Sequence, residues 1–118
     1  MRILVCDDEE VVLKVAQLAL QDKAEVILAR DGWEALQFLK NTAPFDLIIT
    51  DIHMPHHNGD EILRLVRKEQ RLTTPIVMLS SDGEEEVIAM ALKEGVNDFI
   101  VKPVDEAKLL KKIKHFLK

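Results

Sequence analysis

Short, continuously apolar runs alternate along this chain with longer amphipathic stretches. The runs are Ile3-Leu4-Val5-Cys6, Val26-Ile27-Leu28-Ala29, Leu47-Ile48-Ile49-Thr50, Ile76-Val77-Met78-Leu79 and Phe99-Ile100-Val101. All are rich in β-branched residues and apolar on both alternating faces, the pattern of strands in a sheet covered on both sides. Between them, apolar positions recur at helical spacing. The spacing predicts stripes of Val11, Val15, Leu18 and Ala19, then Ala35, Leu36 and Leu39, then Ile62, Leu63 and Val66. A fourth helix is expected from about Glu84 to Glu94, and a fifth with Leu109, Ile113, Phe116 and Leu117 on one face. Gly95 stands at a helix C′ position with Lys93 in the preceding turn. Asp31-Gly32, Pro55, Gly59 and Asp82-Gly83 mark the joins.

Strand and helix thus alternate five times. This order predicts an α/β fold: one doubly wound domain over residues 1–118, a parallel sheet with right-handed crossovers and helices on both faces. In an open sheet of this kind the functional site lies beyond the carboxyl ends of the strands.

Composition narrows the class. The chain has 118 residues, 47% hydrophobic and 31% charged, as expected of a globular protein. No apolar run approaches the ~20 residues of a membrane helix, and the first strand starts too early to leave room for a signal peptide. Cys6 is the one cysteine, which excludes a disulfide scaffold. A cytoplasmic protein without a membrane contact is the expectation. The net charge of -5 argues against direct nucleic-acid binding. Acid gathers at Asp7, Asp8, Glu9 and Glu10, whereas the stretch from Lys108 to Lys118 has five lysines and no acid.

The residues just past each predicted strand carry the chemistry. They are Asp7 and Asp8, then Asp51, then Ser80 and Ser81, then Lys102 before Pro103. Singly each has an ordinary explanation. An acid after a strand is commonly a helix N-cap, Ser80 a turn residue, and Lys102 a solvated charge. Cys6 reads as a small core residue, and Met54, Met78 and Met90 as packing residues. His53, His56 and His57 share one loop without a thiolate, a weak case for zinc. Together, three carboxylates at one point repel one another and call for a cation. All-oxygen ligands select magnesium, manganese or calcium. A lysine and a hydroxyl beside a metal-bound carboxylate suit phosphoryl transfer, with Asp51 the best candidate nucleophile. Crowding also predicts that Asp8→Asn stabilises the metal-free fold.

Read together, these segments resemble the receiver domain of two-component response regulators. RILVCDDEE is similar to the family's first strand and acidic pair, and DLIITDIHMP with Gly59 to its phosphorylation-site strand. PIVMLSS, DFIVKP, ARDGWEAL and ALKEGVNDF resemble its remaining segments. The resemblance spans essentially the whole chain and implies strand order 2-1-3-4-5. It implies that Asp51 becomes an aspartyl phosphate, taking its phosphoryl group from a phosphohistidine on a sensor histidine kinase or phosphotransfer protein. Mg²⁺, with Mn²⁺ as the substitute, would be held by Asp8, Asp51 and the His53 carbonyl, and by Asp7 through water. Lys102 and Ser80 would bond the phosphoryl oxygens, Ser81 would leave room beside them, and Phe99 would change rotamer. The output surface would be formed by the fourth helix, fifth strand and fifth helix, controlling an output domain or partner and open to homodimerisation. Such a chain is a switch rather than a turnover enzyme.

His56 and His57 replace the family's usual smaller residues, and Phe99 lacks a tyrosine hydroxyl. His53 and Asp82 flank the phosphoryl site and are expected to set the phosphoryl lifetime. Three alternatives are disfavoured. An aspartate-based phosphatase needs an enclosing cap, and flavin binding needs a phosphate-friendly first loop. A contact-only receiver would lack Asp51 or Lys102. Where the chain stands, as a separate receiver or the N-terminal piece of a longer regulator, is left open.

Overall fold

The computed structural model describes residues 1–42, 44–54, 56, 58–81 and 85–117. The expected joins at Pro55 and Asp82-Gly83, with His57 and Glu84, lie outside the described residues. The chain runs β1 (Arg2–Cys6), α1 (Glu10–Leu20), β2 (Glu25–Ala29), α2 (Gly32–Asn41), β3 (Leu47–Asp51), α3 (Gly59–Arg64), β4 (Ile76–Ser80), α4 (Glu85–Lys93), β5 (Asp98–Val101) and α5 (Glu106–Ile113). A π-helical turn, Leu65–Glu69, continues α3, and a 3₁₀ turn, Lys114–Phe116, continues α5. All strand pairs are parallel, in the order β2-β1-β3-β4-β5.

Two cores form because alternate side chains of each strand point to opposite faces. Ile3, Val5, Leu47, Ile49, Val77 and Leu79 pack against α1 and α5. Leu4, Cys6, Ile48, Ile76 and Met78 pack against α2 and α3 on the other face, where Ile88 and Ala91 of α4 also lie. The central strands β3 and β4 are buried along their whole length. Their apolar runs therefore reflect burial on both faces, as the sequence predicts.

The stripe expected on α1 is only partly right: Ala19 is buried and Val15 half-buried, but Val11 and Leu18 lie on the wrong side. Val12, Leu13, Ala16, Ala19 and Leu20 face the core, while Val11 is 73% and Leu18 47% exposed. This helix is apolar on both sides, so two stripes share helical spacing and the period alone does not choose between them. Met90 is also corrected: Met54 and Met78 are core residues, but Met90 is 64% exposed on α4. No described residue of α4 is fully buried. Cys6 is buried and free, as expected.

Gly95 takes φ +112°, the left-handed conformation a helix C′ residue requires. Gly59 is needed for closeness instead. A Cβ there would stand 2.6 Å from the carbonyl oxygen of Asp51, a backbone atom that cannot turn aside. The Gly59 N–H also donates to the Ile52 carbonyl at 2.8 Å, tying the start of α3 to the end of β3. Gly59→Ala should therefore destabilise the fold by about 1–3 kcal/mol, as overpacking does. Denaturant unfolding measures it, and a variant as stable as wild type would contradict the contact.

Candidate functional site

Because all five strands run parallel, the loops after β1, β3, β4 and β5 lie at one end of the sheet. Asp7, immediately after β1, is completely buried. Its N–H donates to the Ala29 carbonyl of β2 at 3.1 Å, and its Oδ1 accepts the Glu9 N–H at 2.9 Å. The second oxygen, Oδ2, lies 3.1 Å from Lys102 Nζ yet is not aligned for a hydrogen bond. Asp8 is exposed beside it. Glu9 caps α1 through its backbone, its carbonyl accepting from Val12 and Leu13.

Asp51 ends β3 and is almost fully buried. Lys102 follows β5, its N–H donating to the Ser80 carbonyl at 2.7 Å. That bond aims the side chain across the strand ends, where Nζ donates to Asp51 Oδ2 and to Glu9 Oε1, both at 3.2 Å. One ammonium thus stands among Asp7, Glu9 and Asp51. Ligand oxygens of Asp7, Asp8 and Asp51 all lie within 4.8 Å of one another.

Burial pushes the Asp7 carboxyl up to about 6, with the Asp51 charge adding to the rise and the Glu9 N–H and Lys102 opposing it. Asp51 is raised as well, first by burial and then by Asp8, against the pull of Lys102. Burial disfavours the Lys102 ammonium, but the surrounding carboxylates outweigh it and raise its affinity for the proton. The ring is therefore under-compensated: three acids share one half-buried cation. A divalent ion bound by oxygens suits this donor set, and the orphaned, fully buried Asp7 Oδ2 is a polar atom such a site would satisfy directly or through water.

Four of the residues picked out in the sequence, Asp7, Asp8, Asp51 and Lys102, are thus brought together. Ser80 is buried beside them, its hydroxyl turned to the Ile100 carbonyl at a long 3.5 Å. Phe99 is half-buried under Lys112, whose Nζ lies 5.3 Å from the ring centre. Exposed His53 lines a cleft of about 280 Å³ with Ile52, Asn58, Met78 and Met90. Exposed His56 sits at φ +73° and lies 3.8 Å from Asp31, which caps α2 by accepting the Glu34 N–H. Among the described residues neither His53 nor His56 joins a metal-ligating cluster. Asp82 lies outside the described residues. Glu9, a direct partner of Lys102, was visible in the sequence only as part of an acidic run.

Residues 3–114 match the response regulator receiver domain family. The chain belongs to that family. It is 36% identical over 115 residues to the CAI-1 autoinducer sensor kinase/phosphatase CqsS of Vibrio cholerae serotype O1, aligning 95% of this chain with 17% of that protein. It is 39% identical over 106 residues to the two-component response regulator ORR23 of Oryza sativa subsp. indica, aligning 88% of this chain with 15% of that one. The chain therefore spans less than a fifth of these relatives' length. Chemotaxis response regulator CheY4 of Vibrio cholerae superposes with a TM-score of 0.88 at 34% identity, covering 98% of both chains. The fold is the receiver fold, with the same five-stranded sheet and five helices. Receiver domains are signalling switches of two-component systems, generally phosphorylated on an aspartate.

The buried acid gives a signed pH effect. Unfolded, the Asp7 carboxyl has its ordinary value of 3.8; folded, it titrates near 6. Between these values the folded receiver holds the extra proton, so this group's contribution to stability falls as pH rises through the window and is level above it. Metal-free Asp7→Asn should be more stable than wild type at pH 7–8, by up to about 3 kcal/mol, and the difference should shrink towards pH 4. Denaturant melts in EDTA across that range measure it. A variant less stable than wild type at pH 8 would contradict the cost of holding this buried carboxylate charged.

Proposed function

We propose that this receiver is switched by phosphorylation of Asp51, with the phosphoryl group drawn from a phosphohistidine of a sensor histidine kinase or phosphotransfer protein. The observation that carries this is the Asp51 carboxylate, set at a strand end with Lys102 Nζ 3.2 Å from Oδ2 and two further acids beside it. An Asp51 oxygen attacks phosphorus. The new O–P bond forms as the N–P bond to the donor imidazole breaks, and its electron pair returns to that nitrogen. Lys102 offers its ammonium to the charge gathering on the phosphoryl oxygens.

Asp8, Asp51 and the His53 carbonyl would hold Mg²⁺, or Mn²⁺ in its place, with buried Asp7 acting through water. When bound, this ion neutralises phosphoryl charge. The bland reading of Asp8 as a helix cap is weakened because the N-cap of α1 is Glu9. Ser80 would leave its long bond to Ile100 for a phosphoryl oxygen, and Phe99 would shift in step. Both connect the site to β5, and from there to α4 and α5. The α4-β5-α5 face carries Lys108, Lys111 and Lys112, and Lys108 Nζ binds the Val101 carbonyl at the end of β5. This face would meet an output domain, a protein partner or a second copy. No described helix is long and apolar enough to cross a membrane.

Acetyl phosphate with Mg²⁺ should add one phosphoryl group, mapped by mass spectrometry to Asp51. Asp51→Asn should take none, and Lys102→Met should react about 10²-fold more slowly. Size measured before and after reports on dimerisation. Label elsewhere, or equal labelling of Asp51→Asn, would contradict the proposal.

A further inference from the structure

Glu9 is the carboxylate at the site that neither the metal set nor the phosphoacceptor explains. Its backbone is held at both ends: the N–H by Asp7 Oδ1, and the carbonyl by Val12 and Leu13 of α1. Its side chain makes no capping bond to α1. It reaches instead across the strand ends, placing Oε1 3.2 Å from Lys102 Nζ.

An ammonium has three donors, and three carboxylate oxygens stand around this one: Asp7 Oδ2 at 3.1 Å, Glu9 Oε1 at 3.2 Å and Asp51 Oδ2 at 3.2 Å. Nζ donates to Glu9 Oε1 and Asp51 Oδ2 and is flanked by Asp7 Oδ2, so a phosphoryl oxygen arriving on Asp51 enters a crowded shell and competes with these oxygens for the amine. Asp7 is sealed beneath the loop, and Asp51 carries the incoming group. The Glu9 side chain is 58% exposed and can turn to water. We propose that Glu9 is a positioning residue that holds Lys102 in reserve and competes with the phosphoryl group for its amine. The inference rests on Asp51 being the phosphoacceptor. Glu9 then favours the unphosphorylated receiver by the worth of its contact with Lys102. For a half-exposed ion pair that is about a two- to fivefold effect.

Glu9→Gln removes the charge and leaves the backbone cap in place, so the fold is retained. Glu10→Gln is the matched control. Glu10 pairs with Arg30 at 2.7 Å, so this variant removes an equal charge one residue on without touching Lys102. The full chain is treated with acetyl phosphate at saturating Mg²⁺ and fixed ionic strength, and its phosphorylated fraction is followed by intact mass. In parallel, acylation of Lys102 by an amine-reactive ester, before any phosphodonor is added, reports how free the amine is. Glu9→Gln should raise the phosphorylation rate and the Lys102 acylation about two- to fivefold, and Glu10→Gln should change neither. Equal rates in wild type and Glu9→Gln overturn this inference while the proposed function stands. Equal gains in both variants also overturn it, since they reflect long-range charge rather than the contact. A wild type that takes no label at Asp51 overturns the proposed function, and this inference with it.

Discussion

The receiver site depends on one electrostatic imbalance. Asp7, Asp8 and Asp51 converge at the carboxyl ends of β1 and β3, two of them buried, and among the described residues Lys102 is the cation that offsets them. Burial first, and neighbouring charge after it, raises Asp7 and Asp51, while Asp7, Asp51 and Glu9 hold the lysine firmly charged. Such an arrangement costs the free fold stability. It also leaves a strong, localised demand for positive charge, which is the condition a site needs if it is to capture a metal ion and then a phosphoryl group. Among the described residues the demand is met only in part.

The fold creates the imbalance by geometry. A parallel sheet covered on both faces exposes its chemistry only where strands end. Each strand leaving the core at this end must release a polar residue, and the strand order sets β1 and β3 side by side with β4 and β5 beyond them. The short approach of Gly59 to the Asp51 carbonyl packs α3 close under the end of β3. On the far side, Ser80 and Lys102 share a backbone bond, so β4 and β5 move as neighbours at the site. Under the proposed function, this is the route by which a distant surface such as α5 would feel events at Asp51.

Much of this was legible in the residues. The two-faced strands 47–51 and 76–80 are unmistakable because burial on both sides leaves no polar alternation, and the acids, serine and lysine stand directly after such runs. The face of α1 was not legible. Val11, Val15 and Leu18 repeat as regularly as Val12, Ala16 and Ala19, and only the position of the sheet separates them. Met90 misleads in the same way, since an apolar residue at helical spacing need not be covered. The π-helical turn after α3, where the Gln70 N–H reaches back to the Leu65 carbonyl, leaves no composition signal. Nor could spacing reveal which members of the run from Asp7 to Glu10 meet Lys102. Asp7 and Glu9 both do, Glu9 because the first turn of α1 fixes its backbone direction.

Mutual repulsion of these acids, relieved when a divalent ion joins them, is tested most directly by thermal melting. Wild type and Asp8→Asn are melted with EDTA and with Mg²⁺ at about a hundredfold excess over Kd. The ion should raise the wild-type Tm by about 10 °C. Asp8→Asn should melt no lower than wild type in EDTA and should lose the response to Mg²⁺. A wild type indifferent to Mg²⁺, or an Asp8→Asn that melts below it in EDTA, would contradict the claim.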